Sequence, residues 1–139
     1  MTDLTMARAG KRAMTIGAAA VAAVGFLAVP AQASSWSSYL SNVLNDYESR
    51  RWTDDGGSTT IKFTSCHRDG QQAVNVMLRK DTFGPDPKYD NATFTNCFNS
   101  GATSTGNWDD HGSGDYYFVV DSGSTVYAPV SVSSLTVYY

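Results

Sequence analysis

The chain has 139 residues, of which 42% are hydrophobic, and its ten Lys and Arg against thirteen Asp and Glu give a formal net charge of −3. This length fits one small domain preceded by a short targeting segment. The acidic balance argues against nucleic acids and anionic membranes as partners, because the chain has no basic stripe that could release counterions from phosphates.

Residues 1–33 are predicted to be a signal peptide. A positively charged stretch at residues 8–12 precedes the apolar, uncharged residues 13–29, and Ala31 and Ala33 are the small residues that signal peptidase requires. The alternative is a membrane-spanning helix, but the apolar run is short for a span and has no basic flank behind it. We therefore expect a secreted protein. Seven Lys and Arg and twelve Asp and Glu remain after the cleavage point, which gives a formal charge of −5.

Both cysteines, Cys66 and Cys97, lie in the part that would be exported. Two thiols in an oxidising compartment predict one disulfide bond, and a small domain has reason to use such a cross-link. The alternative is a reactive thiol pair, but the C-x-x-C spacing and the basic surroundings that activate a thiol are missing.

Residues 34–58 are predicted to be an N-terminal segment that contains an amphipathic helix. Apolar side chains recur three and four residues apart, at Trp36, Tyr39, Leu40, Val43, Leu44 and Tyr47. This spacing predicts a helix over roughly residues 35–48, with Ser34 or Ser35 available as its N-cap.

Residues 59–139 are predicted to be a β domain, because short runs of Thr, Val, Tyr and Phe alternate with turn residues. Five runs are expected to be strands, at residues 59–66, 73–79, 92–98, 116–121 and 124–139. The last run changes phase between Val132 and Leu135, which indicates a bulge or break at Ser133-Ser134. The predicted fold is mainly β, a small antiparallel β-sandwich or meander with one N-terminal helix and one disulfide.

The stretch YESRRWTDDGG concentrates charge and an indole at the end of the predicted helix. A guanidinium can stack on an aromatic ring and pair with a carboxylate at the same time. Arg50, Trp52 and Asp54 are therefore predicted to form a structural bracket between helix and sheet. The alternative is an exposed Arg and Trp hot spot for a protein partner.

The loop NWDDHGSGDYYF contains the residues that most resemble a chemical site. Asp109, Asp110, His111 and Asp115 could in principle bind a metal ion, but their spacing is wrong for an EF-hand type loop and no second histidine lies at ligand spacing. A nucleophilic triad also lacks a recognisable elbow around His67 or His111. We therefore predict no metal, no cofactor and no catalytic residue, and hence a protein that is not an enzyme.

The segment DDHGSGDYYF is similar to the last strand of small secreted guanyl-specific ribonucleases of actinobacteria. Their chemistry needs a glutamate base and an arginine in the middle of the sheet. After the predicted signal peptide, Glu48 is the only glutamate, and it falls in the predicted helix. A ribonuclease is therefore less favoured than the adaptor and the inhibitor that are described next.

A second resemblance covers nearly all of the predicted mature chain. Ser49, Arg50 and Trp52 give an S-R-x-W pattern, and a Gly turn, TIKFTSC, a Pro85-Asp86 loop, FTNC, GDYYF and a Val/Tyr-rich end follow it. This pattern resembles the small secreted Streptomyces proteins that act as the adaptor, or B component, of umbrella toxin particles.

The resemblance implies a non-enzymatic adaptor for interbacterial competition. Such a protein would join a large secreted toxin-bearing repeat protein to a secreted lectin-type protein, and its N-terminal segment would dock on the lectin. In this sequence the docking positions would be Ser34, Ser35, Trp36, Tyr39 and Leu40. The same apolar residues are also expected to pack against the sheet, and one face rarely serves both purposes.

The alternative function is a secreted inhibitor of proteases or of a toxin. A compact, disulfide-linked β domain is a common inhibitor scaffold, and inhibition requires a rigid exposed loop. Residues 82–89, which contain Pro85 and Pro87, are the candidate for this loop.

Overall fold

The computed structural model describes residues 33–139, so the predicted signal peptide lies almost entirely outside the described residues. The described chain is mainly β and forms antiparallel strands. They are β1 (Ser35–Val43), β2 (Tyr47–Glu48), β3 (Trp52–Asp54), β4 (Thr59–Arg68), β5 (Val74–Asp81), β6 (Lys88–Phe94), β7 (Thr103–Trp108), β8 (Gly114–Val120) and β9 (Val130–Tyr138). One 3₁₀ turn, Asn96–Phe98, follows β6.

The strands form two sheets with a shared hydrophobic core. The first sheet has the order β1-β9-β4-β7, and the second has the order β2-β8-β5-β6 with β3 also paired to β8. Phe63 of β4 lies 5.0 Å from the ring of Phe94 and 5.7 Å from the ring of Phe118, both in the second sheet. The predicted mainly β fold with antiparallel strands is therefore confirmed. Of the two expected arrangements, a sandwich or a meander, the chain forms a sandwich-like pair of sheets, with inward-facing rings of both sheets between them.

The predicted helix over residues 35–48 is wrong. These residues form β1 and β2, and β1 pairs antiparallel with β9 over Ser35–Val43. Within residues 33–139 the structure has no α-helix, and no helix there is long and apolar enough to cross a membrane. The N-terminal segment thus belongs to the same sandwich as the rest of the described chain.

The irregular pairing of β1 explains the helical spacing of its apolar residues. Its register with β9 shifts between Ser38 and Leu40 and again between Leu40 and Val43, and Asn42 has a φ of 51°. Each irregularity interrupts the alternation of side chains between the two faces of a strand. Leu40 and Val43 are therefore both buried although they are three residues apart, which imitates the period of a helix.

The predicted disulfide between Cys66 and Cys97 is confirmed, with a distance of 5.0 Å between the two Cα atoms. Cys66 lies in β4, and Cys97 lies in the 3₁₀ turn after β6 rather than in a strand. The bond therefore links the first sheet to the segment that leaves the second.

Strand β7 lies outside the five strands expected from the sequence. Its residues alternate between exposed and buried positions, and its six pairs with β4 run without a register shift. Gly106 occupies an inward-facing position against the rings of Phe94 and Trp108. The high content of Gly, Ser, Thr and Asn concealed this strand, because such residues are also typical of loops.

Gly106→Ala is expected to lower the free energy of unfolding by about 1–3 kcal/mol, the usual cost of overpacking a core. An added Cβ at residue 106 would lie 2.7 Å from the indole of Trp108 and 2.9 Å from the ring of Phe94, so both rings would have to move. Urea denaturation measures the change. Gly57→Ala is the matched control, because its Cβ would meet nothing within 4 Å. Equal stability of the two variants would contradict the packing argument.

Candidate functional site

An exposed apolar surface lies where β1 approaches β2. Tyr39 is 68% exposed, Leu44 is 53% exposed and Tyr47 is 38% exposed. We call these three residues, together with Trp36, the β1-side surface. Such a group of large apolar side chains close to one strand is typical of a protein-binding surface.

A cavity of about 110 Å³ lies beside this surface, lined by residues of β1 and of the segment around β2. Trp36 lines it and stacks on Phe118, with 6.3 Å between the ring centroids and an angle of 6° between the planes. The guanidinium of Arg50 lies 5.2 Å from the centre of the Trp36 ring. The cavity is therefore bordered by aromatic rings and by one cation.

The structure divides the five predicted docking residues into two groups. Ser34, Ser35 and Tyr39 are exposed, and Trp36 is half-buried. Leu40 is buried in the core and pairs with Val132. The segment therefore serves both the core and the surface, because alternate residues of a strand point to opposite faces.

Arg50, Trp52 and Asp54, the predicted bracket, each have a separate role. Trp52 is buried in β3 and stacks on Tyr116 at a centroid distance of 6.5 Å. Arg50 lies over Trp36, and Asp54 accepts a hydrogen bond from the Gly56 amide at 2.8 Å. The helix that this bracket would have fastened is absent from residues 35–48.

Arg51, the neighbouring arginine, makes the stacked and paired arrangement expected for this stretch. Its guanidinium lies 3.9 Å from the centre of the Tyr117 ring, and it forms ion pairs with Glu48 at 2.9 Å and with Asp81 at 3.1 Å. Arg51 thus joins the segment before β3 to β5 and β8. Its partners are partly exposed carboxylates, so the aromatic stacking supplies much of its positional restraint.

The hydroxyl of Tyr117 connects this cluster to the loop between β5 and β6. It donates a hydrogen bond of 2.6 Å to Asp86, which also accepts the Thr82 amide at 3.0 Å. The Thr82 amide and then the Tyr117 hydroxyl lower the pKa of Asp86. Burial, followed by the hydrogen bond to Asp86, raises the pKa of Tyr117. Both shifts favour a neutral phenol that donates to an ionised carboxylate.

The acidic and histidine side chains of the loop NWDDHGSGDYYF do not come together at one site. Asp110 accepts the Gly112 amide at 2.7 Å, and Asp115 accepts the hydroxyl of Thr53 at 2.7 Å. His111 stacks on Tyr89 at a centroid distance of 3.6 Å. Within residues 33–139, no three His, Cys, Asp or Glu side chains are grouped in a way that could hold a metal ion.

Glu48 lies in strand β2, so its placement in a helix was wrong. Its carboxylate pairs with Arg51, three residues further along the chain. His111 lines a cavity of about 200 Å³ together with residues such as Lys88 and Asn107. Glu48 does not line this cavity. The structure therefore pairs the glutamate with an arginine and places the histidine in a cavity that Glu48 does not line.

Tyr116 is a buried phenol close to the same loop. Its hydroxyl donates a hydrogen bond of 2.6 Å to the carbonyl of Gly112. Burial is the main reason that the pKa of Tyr116 is raised to about 12. The phenol is therefore protonated at neutral pH and serves as a hydrogen-bond donor.

Three exposed apolar residues, two on the β1-side surface and one between β5 and β6, were not predicted from the sequence to be exposed. Leu44 and Tyr47 were assigned to the inner face of a helix, whereas both are exposed, and Phe83 was not singled out although it is fully exposed. The only available signal for Phe83 was its position in a loop that contains Gly84 and Pro85, because turn residues place their neighbours at the surface.

Comparisons with known proteins leave the function to be inferred from these residues. No protein-family model, no curated protein and no solved structure matches the chain.

Proposed function

We propose that the chain is a secreted, non-enzymatic adaptor that links the components of an antibacterial toxin complex. Its partners are a large toxin-bearing repeat protein and a lectin-type protein, as the resemblance described above implies. The observation that carries the proposal is the β1-side surface, which offers large apolar side chains to a partner.

The apolar character of this surface supports a role in binding. Aromatic residues and arginine are enriched among the few residues that dominate binding energies. Tyr39 and Tyr47 border the cavity together with Trp36 and Arg50. A partner side chain that fills this cavity would be surrounded by aromatic rings, which is the usual environment of a binding hot spot.

The outer edge of β1 supports the same assignment. In the described part of the chain, β1 pairs with β9 on one side, and no strand pairs with it on the other. The Tyr139 amide donates to the Ser34 carbonyl at 2.9 Å, so alternate residues face β9 and the backbone groups of Ser35 and Ser37 face outward. Unpaired backbone groups of this kind accept a strand from another protein.

Replacement of Tyr39 by aspartate is expected to release a partner. The tagged full-length protein should recover two secreted proteins, the large repeat protein and the lectin-type protein, in fixed ratio from the culture fluid of its producing organism. Tyr39→Asp should lower the recovery of one of them about tenfold or more, because a carboxylate would enter an apolar contact. Quantitative mass spectrometry of the recovered proteins measures this ratio.

Thr105→Asp is the matched control. It places the same carboxylate at an exposed position of β7, at the opposite edge of the first sheet from β1. Point substitution is preferable to removal of residues 34–40, because that deletion would take Leu40 out of the core. Recovery of a lone monomer, or equal recovery with Tyr39→Asp and Thr105→Asp, would contradict the adaptor proposal.

A further inference from the structure

Phe83 is a fully exposed phenyl ring at the tip of the loop between β5 and β6. A single apolar residue at a protein surface needs no explanation by itself. This one differs because the loop that presents it is held in one conformation by interactions with buried parts of the sandwich.

Hydrogen bonds across its base hold the loop closed. Asp86 accepts the Thr82 amide at 3.0 Å, and the Thr82 hydroxyl donates to the Pro85 carbonyl at 3.4 Å. The Lys80 amide donates to the Pro87 carbonyl at 3.2 Å. Two prolines within six residues also reduce the conformational freedom of the unbound loop.

The core of the protein supports the loop from below. Tyr117 is buried in β8 and donates its hydroxyl to Asp86 at 2.6 Å. Arg51 stacks on the ring of Tyr117, with its guanidinium 3.9 Å from the ring centre. The base of the loop is therefore linked to β8 through one carboxylate and one phenol, and the guanidinium of Arg51 stacks on that phenol.

We propose that the Thr82–Pro87 loop binds serine proteases whose primary specificity pocket accepts an aromatic side chain, and that Phe83 fills this pocket. Such a pocket is deep, apolar and as wide as a phenyl ring, which complements the side chain that the loop exposes. A loop that is ordered before binding loses little conformational entropy in the complex, so its contacts translate into affinity. This binding activity is independent of the adaptor function and uses a different surface.

The backbone after Phe83 explains how the loop is bound without being cut. Gly84 has a φ of +106°, so the chain turns immediately after the anchoring residue instead of continuing as an extended substrate. The residues that follow the Phe83–Gly84 bond therefore leave the extended path that a bound substrate follows past the catalytic serine. Pro85 follows at the next position, and its ring limits any rearrangement of this turn.

Inhibition assays with chymotrypsin and trypsin test the proposal on the full-length protein. The unmodified protein should inhibit chymotrypsin reversibly with an inhibition constant of about 1 µM or lower. Phe83→Lys should weaken this inhibition about a hundredfold and should create inhibition of trypsin, whose pocket accepts a basic side chain. Phe83 is fully exposed, so unchanged melting temperatures are expected for the variant.

Two further variants separate anchoring from presentation. Tyr127→Lys replaces another highly exposed aromatic residue and should leave both inhibition constants unchanged. Tyr117→Phe removes only the hydroxyl that holds Asp86, and it should weaken inhibition about tenfold and speed cleavage after Phe83, because the loop becomes less ordered. Mass spectrometry of the incubated protein detects that cleavage.

Three results would overturn the proposal. They are the absence of chymotrypsin inhibition at concentrations on the order of 0.1 mM, rapid cleavage of the unmodified protein after Phe83, and failure of Phe83→Lys to transfer inhibition to trypsin. None of these results bears on the recovery of partners through Tyr39, so the two proposals fail separately.

Discussion

Arg68→Met is expected to lower the free energy of unfolding by about 3–5 kcal/mol, the usual loss when one member of a buried ion pair is removed. Arg68 and Asp121 are ion-paired, and each side chain is only 3% exposed. The variant would leave the Asp121 carboxylate in the interior without its cation. It would also remove donors from the carbonyls of Ala128 and Ala73, which Arg68 contacts at 2.8 Å and 3.0 Å.

The position of this pair explains why the effect should be large. Asp121 also accepts the Asn75 amide at 2.9 Å, and its own amide donates to the Asn75 carbonyl at 2.8 Å. The pair therefore fixes three segments at once, namely the end of β4, the start of β5 and the residues that follow β8. Loss of Arg68 would disturb the polar contacts of all three segments.

A double variant provides the control. The double variant Arg68→Met with Asp121→Asn should be more stable than Arg68→Met alone, because a neutral amide replaces the unpaired charge. Asparagine also tolerates the φ of 48° at residue 121. Lys88→Met, on the exposed edge strand, should change the stability by no more than about 0.5 kcal/mol. A loss below about 1 kcal/mol for Arg68→Met would show that the pair is not desolvated.

Removal of the disulfide by the double substitution Cys66→Ala and Cys97→Ala should cost about 3–4 kcal/mol of stability. The bond closes a loop with a sequence separation of 31 residues, and it restricts the unfolded chain by that amount in the chain-entropy model. Guanidinium denaturation of the oxidised protein and of the variant measures the difference.

Chemical reduction of the unmodified protein is the internal control for this experiment. The reduced protein and the double alanine variant should have similar midpoints, because both unfold to an unrestricted chain. The m-value, which is the slope of the free energy of unfolding against denaturant concentration, should be higher for both than for the oxidised protein, since an unlinked unfolded chain exposes more surface. An unchanged midpoint after complete reduction would contradict a stabilising role for the bond.

The sequence alone indicated the β class, the disulfide and the irregularity of the last strand. The phase change between Val132 and Leu135 corresponds to a shift in register, because Ser38 pairs with Leu135 and Leu40 pairs with Val132. Such features are encoded locally, in the alternation of buried and exposed side chains and in the number of cysteines.

The sequence could not show which arginine stacks on an aromatic ring and pairs with a carboxylate. Asp81 lies 30 residues after Arg51, and Tyr117 lies in another strand of the sheet. The sequence showed that an arginine, an aromatic ring and a carboxylate were available, but many such combinations were possible. Only the pairing of β5 with β8 brings Asp81 and Tyr117 to the same arginine.

The conformation of residues 35–43 was likewise decided by tertiary structure. Their apolar residues satisfy a helical period, and they also fit a strand whose register shifts twice against β9. Local propensity does not separate these two solutions, because the stabilising contacts of a strand come from a partner that is distant in sequence. The sequence thus determined the composition of the β-sandwich and its cross-link. Pairing with β9, almost a hundred residues later, determined which side chains of this segment reached the surface.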